Sequence, residues 1–140
     1  MDFIKIELNN VFLLNEFISS IGSASSTFRY FENRKLDAIH NHHRTLLLAQ
    51  DSNLVAYGHL DLDDNITWMG ICVLPLYQNK GYGKIMVEKL IIEAKILNLG
   101  KIHAAVDNVN KNSIKMLLHF GFKTKTVFET FSIYFLDITN

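Results

Sequence analysis

Apolar and polar positions change period several times along the chain, and each change marks an expected element. Phe3, Ile4, Ile6 and Leu8 predict an opening strand, after which Val11, Leu14, Phe17, Ile18 and Ile21 recur at helical spacing. Gly22 and the Ser-rich run to Ser26 end that helix. Thr27 or Ser26 is the expected cap of a second helical segment, FRYFENRKLDAIHNHH, with Phe28, Phe31, Leu36 and Ile39 on an approximate apolar face. Residues 45–50 (TLLLAQ), 54–62 (LVAYGHLDL) and 66–73 (ITWMGICV) have strand character. Asp51-Ser52-Asn53 and Asp63-Asp64-Asn65 between them read as turns, so three antiparallel strands are expected.

Met86, Val87, Leu90, Ile91, Ala94 and Leu97 then predict a helix over 84–99, with Gly100 where a C-terminal glycine belongs. A short strand over 102–106 follows, then an amphipathic helix over 110–120 closed by Gly121, and strands near 122–128 and 131–137. The expected order is βααβββαβαββ. No repeat, low-complexity tract or Pro-rich linker interrupts it, and the single proline, Pro75, ends the fourth strand, so residues 1–140 read as one domain.

Composition adds exclusions. Lys and Arg number 14 and Asp and Glu 14, without a basic stripe or tail, which argues against a general electrostatic grip on nucleic acid or an anionic membrane. The expected partner is a small molecule. Apolar runs such as 46–49 and 90–92 fall far short of the roughly 20 residues that cross a bilayer. Cys72 is the only cysteine and the N-terminus lacks a basic, apolar leader, so a cytoplasmic location is expected.

The candidate chemistry lies in Gln78-Asn79-Lys80-Gly81-Tyr82-Gly83, which joins a buried-looking strand to a helix beginning near Lys84. Glycines let main-chain N–H groups approach a ligand, and a helix start adds unpaired donors and positive dipole, so this is the build of a phosphate cradle. A P-loop requires G-x-x-x-x-G-K-[ST], but Gln78 stands at its first glycine and Ile85 at its hydroxyl. A dinucleotide loop requires G-x-G-x-x-G, and Met86 replaces the third glycine.

What remains is Q-x-x-G-x-G between strand and helix, then a strand, then Asn110-x-x-Ser113 opening a helix that ends in Phe120-Gly121-Phe122. This pattern resembles the GCN5-related N-acetyltransferase (GNAT) family. The resemblance implies an α/β (α+β) fold with a mixed, mostly antiparallel, splayed sheet flanked by helices, and acetyl-coenzyme A (acetyl-CoA) as co-substrate. It implies that N–H groups of Asn79, Lys80, Gly81, Tyr82, Gly83 and Lys84 hold the pyrophosphate, with Gln78, Asn110 and Ser113 at the family's motif positions. It also implies that the backbone at Cys72 and Val73 pairs with the pantetheine arm, and that an N–H near Val73 polarises the thioester carbonyl.

The family often carries a Tyr that protonates the departing thiolate; here Leu117 occupies that position, leaving Tyr134 or water as the candidate acid. The fourth strand offers no carboxylate. His59 and Asp61 share a face of the preceding strand and are the candidate base, directly or through water. Arg29, Tyr30, His43 and Trp68 are expected to border the acceptor. His40, His42 and His43 lack convergent metal ligands, so no metal is expected, and Cys72 reads as a buried thiol rather than a nucleophile.

The expected activity is acetyl transfer to a primary amine of a small molecule, such as an amino sugar or amino acid derivative, by direct attack. A CoA-sensing module and a protein N-terminal or lysine acetyltransferase are the alternatives. Phe128, Phe131, Ile133 and Phe135 suit either a core or a homodimer face.

Overall fold

The computed structural model describes residues 1–26, 28–32 and 34–139. Its ten main elements are β1 (Asp2–Lys5), α1 (Val11–Ser19), β2 (His42–Gln50), β3 (Asn53–Asp63), β4 (Ile66–Val73), α2 (Tyr82–Ile96), β5 (Lys101–Asp107), α3 (Lys111–His119), β6 (Lys123–Val127) and β7 (Phe131–Asp137). The seven strands form one sheet in the order β1-β2-β3-β4-β5-β7-β6. Every neighbouring pair is antiparallel except β4 and β5, which run parallel. The mixed, mostly antiparallel sheet expected from the sequence is therefore present.

The β2–β3 and β3–β4 hairpins close through Asp51-Ser52 and Asp64-Asn65, all four at positive φ, the backbone that two-residue hairpin loops need. Alternation along these strands sends one set of side chains to each face of the sheet. On one face, Leu46, Leu48 and Leu60 pack with Met86 and Leu90 of α2 and Leu117 of α3. On the other, Leu47, Tyr57 and Cys72 pack with Leu14 and Phe17 of α1.

The second helix predicted over 28–43 does not form. Among its described residues that stretch is irregular up to a 3-10 segment at Leu36–Asn41, and β2 already begins at His42. Ser26 ends another 3-10 segment and its hydroxyl donates to Ser23, while Thr27, the other expected cap, lies outside the described residues. The physical reason is aromatic: Phe28 and Phe31 both meet Tyr57, at centroid distances of 5.3 and 5.8 Å, and Tyr30 meets His59 at 4.4 Å. A helix would turn positions 28 and 30 to opposite sides, so burying all three against one sheet face requires a non-helical path.

Phe17 is 1% exposed and stacks on Tyr57 at 6.1 Å, joining Leu14 in fixing α1 to the sheet. Phe17→Ala is expected to lower unfolding free energy by about 3–5 kcal/mol, measured by urea denaturation.

Candidate active site

The parallel pair β4·β5 is in register only at Trp68 and His103, beyond which the strands part. Between them opens a cleft of about 720 Å³, walled by 69–73 of β4 and 104–107 of β5. The start of α2 and the inner face of α3 complete it, with Ala24 and Phe28 at its rim.

Gly81 is the N-cap of α2 at φ +90°, a left-handed conformation that side chains disfavour, and no side chain caps the helix. Asn79 is also at positive φ. The loop is tied back to β4 because Gln78 Nε2 donates to the Val73 carbonyl at 3.1 Å. Gly83 lets α2 approach Met116 of α3, whose sulfur would lie 3.4 Å from a Cβ placed there. Asn110 caps α3, its side-chain oxygen accepting from the Ser113 N–H at 3.3 Å.

The sequence candidates Cys72, Val73, Gln78, Asn79, Gly81, Tyr82, Gly83, Lys84, Asn110 and Ser113 all line this cleft, as does Leu117. Lys80 does not; its ammonium sits 6.0 Å from the Tyr77 ring. Burial pushes the Cys72 thiol up to about 12, which removes it as a nucleophile at neutral pH. Tyr134 lies away from the cleft lining, in the core shared with Leu117.

His59 and Asp61 lie on the sheet face away from α2, buried to 3% and 8% exposure. Cross-strand register sets His59 opposite Gly70 and Asp61 opposite Trp68. Gly70 makes room for the imidazole, since a Cβ there would come within 2.5 Å of His59 Nε2. His59 Nδ1 bonds the Tyr57 hydroxyl at 2.6 Å.

Asp61 belongs to a different chain of bonds. Tyr30 Oη donates to Asp61 Oδ2 at 3.0 Å and meets His42 Nε2 at 2.7 Å, while His42 Nδ1 meets Thr45 Oγ1 at 2.7 Å. The single Tyr30 hydrogen goes to Asp61, so His42 Nε2–H donates to the Tyr30 oxygen. A neutral His42 then accepts from Thr45 through Nδ1. Among the described residues no hydrogen bond joins the two chains; they meet through tilted rings, His42 and His59 lying 4.6 Å apart.

Burial governs the protonation here. It holds His42 down to about 4 and His59 well below the usual imidazole value, and it raises the Tyr30 and Tyr57 hydroxyls, the former helped by Asp61. Both histidines are neutral at pH 7.

Of the remaining candidates, Arg29 is engaged by Asp107 of β5 through two bonds of 3.3 Å, fastening the irregular segment across the sheet. His43 lies in the register shift between His42 and Arg44, with Nε2 buried and unpaired. Trp68 is half-buried, 5.5 Å from the His103 ring. Sequence reasoning missed Tyr57, Thr45 and the role of His42. Tyr57 was findable, two positions from His59 on the same strand face, whereas His42 was hidden by the expected helix. Among the described residues no group of three or more His, Cys, Asp or Glu is placed to hold a metal, and no helix is long and apolar enough to cross a membrane.

A mixed sheet parts between its parallel strands β4 and β5, with an uncapped glycine-led helix at the opening, and comparison with known proteins assigns this α/β arrangement to a family. Residues 11–122 match the model of the acetyltransferase (GNAT) family, and the chain belongs to that family. It is 31% identical over 81 residues to the uncharacterized N-acetyltransferase YfmK of Bacillus subtilis (strain 168), a match spanning 57% of this chain and 55% of that relative. Thus the match spans only about half the length of that relative. Among solved structures, yncA from Salmonella typhimurium, determined with its cofactor acetyl-CoA, superposes with a TM-score of 0.79 at 15% identity, covering 100% of this chain and 95% of the other. The GNAT domain of S. lividans PAT gives 0.80 at 16%, covering 97% and 89%. At these identities both are likenesses of fold.

The lowered histidines make a pH prediction. A histidine held neutral in the fold takes its proton more readily when unfolded, so stability is intact above the ordinary value of 6.5 and falls as pH drops toward about 4. His42→Gln is expected to flatten this acid limb by up to about 1.4 kcal/mol per pH unit, read from urea midpoints across that window.

Proposed function

We propose that the chain is an acetyl-CoA-dependent N-acetyltransferase acting on a primary amine of a small molecule. The observation that carries this reading is the cleft itself: two strand edges part at Trp68 and His103, and α2 begins at its mouth without a side-chain cap. The residues fit the co-substrate. N–H groups from Asn79 to Lys84 suit a pyrophosphate, because the backbone at Gly81 is open, with no atom within 4 Å of a Cβ placed there. The free edge of β4 at Cys72 and Val73 suits an extended amide-bearing arm that adds as a strand. Bound there, acetyl-CoA supplies an acetyl group already activated as a thioester.

The chain's own contribution is positioning, polarisation and proton handling. The Val73 N–H is the donor assigned to the developing oxyanion. His59 is the assigned base: when its Nδ1–H donates to Tyr57, Nε2 keeps a lone pair behind Gly70, and it is Gly70, not His59 itself, that lines the cleft. A neutral imidazole of such low basicity does not deprotonate an alkylammonium, so the attacking species is the fraction of acceptor already present as free amine, its first proton lost to solvent. His59 takes the second proton, the one that nitrogen sheds as its bond to carbon forms. Leu117 offers no hydroxyl, and a thiol of pKa about 8.5 leaves adequately with water alone.

Leu117 and the weak basicity of His59 favour one second reading, a CoA-binding sensor without turnover. Free-thiol release from acetyl-CoA over a panel of amines separates the two: amine-dependent release above hydrolysis supports the enzyme, and binding without release supports the sensor. Gly81→Val is expected to weaken acetyl-CoA at least about tenfold by isothermal calorimetry, since a β-branched residue disfavours φ +90°. Gly70→Ala is expected to displace His59 and lower kcat by about 10²-fold or more; unchanged kcat would remove His59 from the chemistry.

A further inference from the structure

Phe28 and Arg29 carry the irregular segment across the opening of the cleft. Phe28 packs on Tyr57 of β3 at 5.3 Å, and Arg29 bonds Asp107 of β5 through two contacts of 3.3 Å. Strand β4 lies between β3 and β5, so two adjacent residues reach strands on either side of β4 and of the gap beside it. Asp107 is the last residue of β5, about 13 Å along the strand from the contact at His103 and within the stretch that walls the cleft. Alternation turns Ile102 and Ala104 toward α2 and α3, so Asp107 faces the other way, toward the segment that Arg29 belongs to.

This tie is weak. The Arg29 and Asp107 side chains are 52% and 25% exposed, and an ion pair so open to water contributes little stability. Arg29 Nη1 also donates to the Ser26 carbonyl at 2.6 Å, a bond the guanidinium keeps when the carboxylate is taken by another cation. Charge along the cleft is divided. Among its described lining residues Asp107 is the single carboxylate, whereas the basic residues Lys84, Lys115 and His119 stand on α2 and α3, the side that suits phosphate. An alkylammonium entering the cleft meets one anionic group, and that group already holds a cation.

Resting on the acetyltransferase reading, we infer that Asp107 docks the incoming amine at the cleft mouth by exchanging Arg29 for the acceptor's ammonium. Arg29 is the resident cation that fastens the segment until then. Asp107 is a docking residue, distinct from the base: the ammonium loses its first proton to solvent at this water-exposed point and passes inward as free amine.

The probes are n-butylamine and 1-butanol, its neutral isostere, titrated by amide chemical shifts into the CoA-saturated protein, with thiol release from acetyl-CoA measured for the amine. The expected affinity for the amine exceeds that for the alcohol at least about tenfold, and Asp107→Asn erases the difference and raises the amine's KM by a similar factor. Arg29→Gln removes the competing cation and is expected to lower that KM severalfold. Arg29→Asp combined with Asp107→Arg separates docking from fastening, and keeps the test open where Asp107→Asn does not fold: stability to urea recovers relative to either charge reversal alone, while the preference for the amine stays lost. Equal affinity for the two probes in the unaltered protein, a preference that survives Asp107→Asn, its loss on Arg29→Gln, or its return in the exchanged pair would overturn the inference. Amine binding that depends on Asp107 without amine-dependent thiol release would sustain it while overturning the enzymatic reading.

Discussion

The parallel contact between β4 and β5 is the constraint on which the site depends. Antiparallel neighbours hold every other strand along its length, but these two meet at Trp68 and His103 and then separate. Past that point the facing edges carry main-chain donors and acceptors with no sheet partner, a state that a folded chain tolerates only where water or a ligand supplies the missing bonds. The helices keep the gap open from one face: α2 crosses over β3 and β4 through Met86 and Leu90, and α3 brings Met116 and Leu117 to the wall. A seven-stranded sheet thereby holds a slot without losing its core.

The opposite face carries a polar cluster. There partly buried Tyr30 and His42 and buried Tyr57, His59 and Asp61 form two short hydrogen-bond chains that pack together without a hydrogen bond between them among the described residues. Separation matters chemically, because His59 gains no carboxylate to orient or charge it. Its low basicity follows from burial first, with His42 and Arg34 adding to it. Asp61 accepts from Tyr30 through Oδ2, with His42 Nε2 4.0 Å from Oδ1. One face thus carries a weakly basic histidine behind Gly70 of the cleft wall and an acid farther along the same strand.

Most of the frame was legible in the sequence because its signals were local. The meander, the three helices and the glycine loop each announce themselves by period or by turn chemistry, whereas Cys72, Val73, Asn110 and Ser113 were named only through the family resemblance. The segment from Phe28 to His42 was not legible, since its course depends on three aromatics finding Tyr57 and His59 on a distant strand. That miss hid His42. Strand β7 shows another limit: both of its faces are largely apolar, so alternation alone did not say that Ser132 and Tyr134 are the buried positions while Phe131 stays exposed. Pairing of Ala104 with Tyr134 decides it, turning the Tyr134 side chain into the core beside Leu117 and away from the cleft.

The central claim is that the gap between β4 and β5 receives acetyl-CoA as an added strand, with its pyrophosphate at the start of α2. Amide chemical-shift mapping during titration with acetyl-CoA tests this most directly. The largest perturbations are predicted at Cys72, Val73, Gly81, Tyr82, Gly83 and Lys84, with smaller ones at Ala105 and Val106 across the gap. Saturable perturbations centred on any other surface, or none at all, would contradict it.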